Sequence, residues 1–265
     1  MRKTLASLLL LGSGLVSAHE LWVNVPSSLG AGQKLEADLG YGHEFPAPEK
    51  IAEDRLQIFK PLALVSSKGS SDLKQSGENY HYASEAELEK GTYWVSAVYQ
   101  PSFWSKDKDG KWSQGDLKTV ANAEFCGQYE MLGKAPAVVD GGFDGDFFSK
   151  PIGQPLEIVP LKPLSEFKQG QLFPVKVLLK GEPLAGAKVT ATTDEILKLD
   201  EAALKDEREP QIFAGRTDKE GVVNLIPLAS GTYKIFAKTK KDFEGDKAQC
   251  NEHSWKATLT LPLQK

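Results

Sequence analysis

The stretch TDKEGVVNLIPLASGTYKIFA, residues 217–237, decides the fold class of this chain. Two short runs of β-branched and aromatic residues stand on either side of a loop that contains Pro227 and Gly231. Such runs between turn residues predict antiparallel β-strands. The same pattern recurs upstream at residues 156–161, 172–179 and 187–192. The C-terminal half is therefore predicted to form an immunoglobulin-like β-sandwich.

The N-terminal half follows the same pattern. Its strand-like runs are LWVNV (21–25), LQIF (56–59) and TYWVSAVY (92–99), with glycine and proline turns between them. In the C-terminal half a helical period occurs only near residues 194–204. We therefore predict an all-β protein with two antiparallel, immunoglobulin-like β-sandwich domains, residues 19–150 and 151–265, behind a cleaved signal peptide, residues 1–18.

The first 18 residues have the features of a secretory signal peptide. MRK (1–3) precedes an apolar run at 5–11, and VSA (16–18) places the expected cleavage after Ala18. The apolar run is too short to span a bilayer and no second one follows, so we predict a soluble periplasmic protein that is not embedded in a membrane. Cleavage would make His19 the first residue, and its amine and imidazole could then bind one metal ion together. In the alternative interpretation, His19 only marks the cleavage position and has no role in metal binding.

Composition limits the choice of partners. The chain has 265 residues with 32 basic and 36 acidic groups, and loss of Arg2 and Lys3 with the signal peptide leaves 30 against 36. This acidic balance argues against nucleic acid. In an oxidising compartment the two cysteines, Cys126 and Cys250, predict a disulfide, with two buried or reactive thiols as the alternative. No CxxC spacing surrounds them, which disfavours thiolate metal binding.

Four histidines are candidate metal ligands. His19 and His43 form the main pair, and the two glycines of GYGHEFP (40–46) are expected to turn the chain sharply before His43. His81, His253 and the carboxylate of Glu44 are predicted to complete the ligand set. The structural alternatives are a loop histidine that caps a carbonyl for His43, a partly buried sheet residue for His81, and a loop residue before the final strand for His253.

These donors favour one class of metal. Imidazole and amine nitrogens favour nickel, cobalt, copper or zinc over calcium or magnesium. The sequence has no phosphate-binding loop, no HExxH and no local hydrolase signature. We therefore predict a metal-binding protein rather than an enzyme. Its affinity is expected to fall as the pH drops toward about 5, because protons compete for the donors.

Several motifs together resemble a known family. They are HELWV (19–23), LGYGHEFP (39–46), GTY (91–93), IGQPLEIVP (152–160) and GEPLAGA (181–187). They resemble a bacterial family of exported proteins that has a domain of unknown function and is grouped with periplasmic components of cobalt and nickel transport systems. The resemblance implies a protein that binds nickel or cobalt and assists an inner-membrane uptake transporter. The family motifs supply His19 and His43, whereas His81 and His253 are candidates from their chemistry alone.

Two other functions fit the same residues. A copper site of the histidine-brace type, in a copper-binding protein or an oxidase, would use the same two histidines. Trp104 and Trp112 would then contact a glycan substrate. The third interpretation is an adhesion or structural module. It follows from residues 181–193 and 217–237, which resemble the small secreted sandwich modules of transthyretin and of carboxypeptidase regulatory domains, where the module is scaffold.

Overall fold

The computed structural model describes residues 19–26, 28–143, 145–199 and 209–264. The predicted signal peptide, residues 1–18, lies outside the described residues. Residues 200–204 of the predicted helical segment also lie outside the described residues. The described part of that segment forms helix α1, Asp194–Leu199. Among the described residues, no helix is long and apolar enough to cross a membrane.

Strands dominate both halves, which confirms the all-β prediction. The N-terminal strands are β1 (Glu20–Asn24), β2 (Ser28–Leu29), β3 (Glu36–Gly42), β4 (Ala63–Ser66), β5 (Gly69–Asp72), β6 (Lys74–Gln75), β7 (His81–Ala83), β8 (Gly91–Asp107), β9 (Trp112–Gln114) and β10 (Ala123–Val139). The C-terminal strands are β11 (Leu156–Pro160), β12 (Phe173–Leu179), β13 (Glu182–Pro183), β14 (Lys188–Thr193), β15 (Phe213–Arg216), β16 (Val222–Leu225), β17 (Thr232–Asp242) and β18 (Glu252–Pro262). Short 3-10 turns span Glu53–Ile58, Phe147–Ser149 and Leu164–Glu166.

The strands form three sheets around two large hydrophobic cores and a small third cluster of Trp22, Phe45 and Leu197. A small sheet of order β1-β3-β7-β6 covers the N-terminal part of a long sheet, whose order is β15-β14-β17-β18-β10-β8-β4-β5. A second small sheet, β11-β12-β13 with β16, covers the C-terminal part. Leu39, Val95 and Tyr99 belong to the first core, and Val175 and Ile235 to the second. Each half is thus a two-layer sandwich in which alternate side chains face inward.

The two sandwiches share the long sheet. Strands β10 and β18 pair in parallel, from Gly127 opposite Glu252 to Lys134 opposite Leu259, and this pairing joins the halves. The second core also takes in Trp94, Leu132 and Val138 from the N-terminal half, and the long sheet runs through both halves, so the boundary at residues 150 and 151 stays a prediction. Parallel pairing between strands far apart in sequence needs a long connection, which here is the whole C-terminal sandwich.

Two further links tie the halves together. Cys126 and Cys250 form a disulfide across 124 residues of sequence, which confirms the predicted pairing. The fully buried ammonium of Lys134 lies 2.6 Å from the Glu157 carboxylate. That carboxylate also accepts the amide N–H groups of Ile152, Gly153 and Gln154. Both buried charges are therefore compensated at the junction.

Candidate metal centre

The pairing of β1 with β3 brings His19 beside His43. Glu20 lies opposite Gly42 in the antiparallel register, so the residue before β1 adjoins the residue after β3. The centroids of the two imidazole rings are 4.3 Å apart, and the ring planes are inclined by 48°. The main histidine pair predicted from the sequence is thus in direct contact at the end of the small sheet.

The local sequence explains why β1 and β3 approach so closely. The indole of Trp22 lies flat against Gly40, where a Cβ atom would sit 1.9 Å from the Trp22 Cε2 atom. Only glycine leaves this space. Gly40 therefore serves close packing within β3, whereas Gly42, the last residue of β3, has a φ of +156° directly before the bend that begins at His43. The turn follows His43, where the amide of Ala47 donates to the carbonyl of Glu44.

An aromatic wall, defined as Tyr41, Phe59, Tyr99 and Trp104, supports the histidine pair from one side. The Tyr41 ring stacks on His19 at 4.9 Å with an angle of 14°. Tyr41 in turn contacts Phe59 and Tyr99, with ring centroids at 5.0 and 5.9 Å. The Trp104 indole N–H donates to the Tyr99 hydroxyl at 2.7 Å. The wall is continuous with the first hydrophobic core, so His19 packs on a rigid surface.

Strand β18 anchors the start of the described chain. The Lys256 ammonium donates to the His19 carbonyl at 2.9 Å, and the Thr258 hydroxyl donates to the Leu21 carbonyl at 2.6 Å. Burial lowers the pKa of Lys256 to about 8. These bonds fix the backbone on which the His19 side chain is mounted.

The surroundings of His19 favour its neutral form. Burial lowers the pKa of this imidazole to about 4, with smaller contributions from His43, Arg55 and Lys256. The charged form loses hydration and meets positive neighbours, both of which disfavour protonation. Neutral imidazole is the form that binds metals, so protons compete little for this donor near neutral pH.

With ring centroids 4.3 Å apart, the two imidazoles are close enough to become ligands of one ion. Among the described residues, no three His, Cys, Asp or Glu side chains converge into a metal-binding group. The site therefore offers two imidazoles from the described side chains.

His81 lies away from this pair. It stands opposite Asp38 in the register of β3 and β7, and its Nδ1 atom lies 2.6 Å from the Asp38 carboxylate. Since His43 follows Asp38 by five residues along an extended strand, the two positions are roughly 16 Å apart. The structure thus places His81 in a side-chain hydrogen bond with Asp38 on the sheet rather than beside His19.

His253 also lies away from the pair. His253 stacks on Trp255, two residues along β18, with ring centroids 3.7 Å apart, and its Nε2 atom lies 3.6 Å from the Glu130 carboxylate. Lys256, which contacts His19, projects from the opposite face of that strand because side chains alternate. His253 instead lines a separate cleft of about 600 Å³. Glu44 is exposed and follows His43 directly.

The tryptophans proposed to contact a glycan are both half-buried. Trp104 belongs to the aromatic wall, and the guanidinium of Arg55 lies over its ring at 5.3 Å. Trp112 packs edge-on against Phe125 and Tyr129 at 6.0 and 6.2 Å. The two indoles therefore take part in packing contacts.

The sequence matches the family described as "Domain of unknown function (DUF4198)" over residues 16–241, which is most of the chain. This chain belongs to the DUF4198 family. The matched span contains His19, His43 and the aromatic wall. No curated protein matches the chain significantly.

Solved structures similar to this DUF4198 protein include a Salmonella alpha-2-macroglobulin mutant and the D00-D0 domain of intimin. The first is 11% identical with a TM-score of 0.24, over 93% of this chain and 16% of that chain. The second is 12% identical with a TM-score of 0.21, over 92% of this chain and 100% of that chain. The DUF4198 protein thus spans about one sixth of the macroglobulin chain.

Three residues that surround the histidine pair were not predicted from the sequence. Tyr41 lies inside the GYGHEFP motif, and an aromatic residue two positions before a candidate ligand on the same strand face was a usable signal. Arg55 and Lys256 gave no such signal. They reach the site from a 3-10 turn and from the last strand, and only long-range packing brings them there.

Proposed function

We propose that this protein binds a divalent transition metal through three nitrogens. They are the imidazoles of His19 and His43 and the amine that His19 gains when the signal peptide is cleaved after Ala18. The single observation that supports this proposal best is the contact between the two imidazole rings at 4.3 Å. Amine and imidazole of one residue close a small chelate ring, and the second imidazole adds a third nitrogen donor.

The role we propose is metal handling in the periplasm. The mature protein would capture nickel or cobalt and pass it to an inner-membrane uptake transporter, without catalysing a reaction. Support comes from the family motifs around both histidines and from the position of the pair at the end of the small sheet. A site at an edge allows the ion to be transferred to a partner. In this proposal the metal ion is cargo, and none of the protein's residues takes part in a catalytic step.

Copper(II) is the second candidate for the bound metal. The observation in its favour is the donor set, which consists of nitrogens only, and copper binds such sites more tightly than nickel or cobalt. Which metal occupies the site in the cell then depends on which ions are available to the protein. The packed positions of Trp104 and Trp112 do not favour an oxidase acting on a glycan.

The test is calorimetric metal titration of the mature protein that starts at His19. A form with one extra residue before His19 keeps both imidazoles but loses the terminal amine at that position. We expect tight binding of nickel or copper to the mature protein and binding weaker by at least about tenfold in the extended form, since one chelating donor is lost. His43→Ala is expected to weaken binding comparably.

His81→Gln is the matched control, because it removes an imidazole at a distance from the pair. It is expected to bind the metal as the wild type does. Equal affinities of the mature and extended forms would refute the role of the amine. An effect of His81→Gln as large as that of His43→Ala would refute the assignment of the pair.

A further inference from the structure

The register of the long sheet places four cationic residues side by side. Arg216 on β15 lies opposite Lys188 on β14. Lys188 also lies opposite Lys238 on β17, which in turn lies opposite Lys256 on β18. Residues directly opposite each other in antiparallel strands share one face of a sheet. With strands about 4.8 Å apart, these four residues form a cationic row that crosses four strands over about 14 Å.

The exposed part of the cationic row is a local excess of positive charge on a protein with 32 basic and 36 acidic groups. Arg216, Lys188 and Lys238 are exposed, and within the described parts of the chain no carboxylate forms an ion pair with them. One guanidinium N–H of Arg216 donates to the Gly186 carbonyl, which leaves its other donors available. These three charges favour an anionic partner.

The side chains around the cationic row do not offset its charge. The adjacent row of the same face is uncharged and consists of Ala214, Thr190, Phe236 and Thr258. Carboxylates on this side of the sheet make other contacts: Glu20 and Glu209 with Lys234, Glu252 with Lys240, and Glu49 beside Gly42. The charge of the row is therefore available to a bound molecule.

Strand β1 lies on the same face as the cationic row. The buried Lys256 ammonium donates to the His19 carbonyl, and Thr258, which shares this face, donates to the Leu21 carbonyl. Stacked sheets lie about 10 Å apart, so the small sheet forms a step of about that height beside the exposed part of the row. A flat lipid surface would rest on the step, above the exposed cations. An extended chain can lie along the foot of the step.

We propose that the cationic row is a docking surface for an extended acidic segment of a partner protein. About five residues of extended chain cover the 14 Å of the row, and carboxylates on alternate residues then face the cations. The inner end of the row is Lys256, which contacts His19. In the proposed function, a partner bound here would be placed to receive the metal. The docking itself does not depend on metal binding.

The experiment titrates a labelled heptapeptide with the metal-free mature protein and measures fluorescence anisotropy. In this peptide four glutamates alternate with three serines, the ends are blocked and the fluorophore is uncharged. At about 10 mM salt, where screening is weak, we expect saturable binding that weakens as the salt rises toward about 150 mM. In the double variant Lys188→Gln/Lys238→Gln the affinity should fall by about tenfold, since two exposed ion pairs are lost.

Lys108→Gln/Lys241→Gln is the matched control, because it removes the same charge from two exposed lysines outside the row. Lys241 lies on β17 like Lys238, but on its opposite face, since side chains alternate along a strand. This control should bind the peptide as the wild type does. A peptide with glutamine in place of glutamate should not bind.

Two results with the peptide would overturn the inference: no binding by the wild type, or equal binding by the wild type and Lys188→Gln/Lys238→Gln. Phosphatidylglycerol vesicles provide the test of a lipid surface. Vesicle binding that is as tight as peptide binding and depends equally on Lys188 and Lys238 would also overturn it. A mature protein that binds the peptide but no nickel would overturn the proposed function and leave the docking surface intact.

Discussion

Replacing Gly40 by alanine should destabilise the protein through a clash with Trp22. The added Cβ atom would sit 1.9 Å from Cε2 and 2.1 Å from Nε1 of an indole that is fully buried. To restore a carbon contact of about 3.5 Å, the ring must move by roughly 1.6 Å. It cannot do so freely, because Phe45 packs edge-on against it with ring centroids 5.8 Å apart.

The expected cost follows from two opposing effects. Alanine in a strand gains about 0.5–1 kcal/mol over glycine through the unfolded chain. Overpacking of a buried ring costs about 1–3 kcal/mol, and here the required shift lies at the severe end. We expect a net loss of about 2 kcal/mol in the free energy of unfolding, which corresponds to a decrease of about 4–8 °C in Tm.

The assay is urea denaturation monitored by circular dichroism, with near-ultraviolet spectra to report on the indole. Gly91→Ala is the matched control, since this strand glycine would place its Cβ at ordinary contact, 3.4 Å from the Tyr93 ring. It should be neutral or slightly stabilising. If Gly40→Ala unfolds within about 0.5 kcal/mol of the control, the close approach of β1 and β3 does not depend on glycine and the reasoning is refuted.

Three further predictions concern the junction and the histidine pair. Replacing both Cys126 and Cys250 by serine opens a loop of 124 residues and should lower the free energy of unfolding by about 5 kcal/mol in the chain-entropy model; an unchanged urea midpoint would contradict this. Glu157→Gln leaves the buried Lys134 ammonium without its counter-charge and should cost about 3–5 kcal/mol, whereas adding Lys134→Met should recover much of that loss in the same denaturation assay. The pKa of His19 is about 4 in the folded protein against about 6.5 unfolded, so the unfolded state binds the extra proton between these values. The contribution of His19 to the stability of the metal-free protein is therefore complete above pH 6.5 or so and decreases as the pH falls toward about 4. Urea titrations across that range should show a steeper loss for wild type than for His19→Ala, and parallel curves would refute the shift.

The sequence alone predicted the all-β class and one pair of candidate ligands, but LQIF (56–59), predicted as a strand, overlaps the 3-10 turn Glu53–Ile58, and β10 was not predicted. Strand formation follows from alternation and turn residues within a few positions, so the run at residues 232–237 was recognisable without its partners. His19 and His43 were nominated from their local chemistry, and the structure places their rings in contact. The disulfide was also predicted, because an expected oxidising compartment and a chain with two cysteines favour pairing whatever their separation in sequence.

Tertiary structure decided how these parts are combined. The parallel pairing of β10 with β18 joins two sandwiches through one sheet, and no local pattern encodes a pairing between strands so far apart. Lys256 reaches His19 across 237 residues of sequence. His81 and His253 were further candidates from residue chemistry alone, yet strand register places His81 along the sheet, and side-chain alternation turns His253 to a different face of β18 from Lys256. Residue type is a local property, whereas proximity depends on the register and packing of the whole chain.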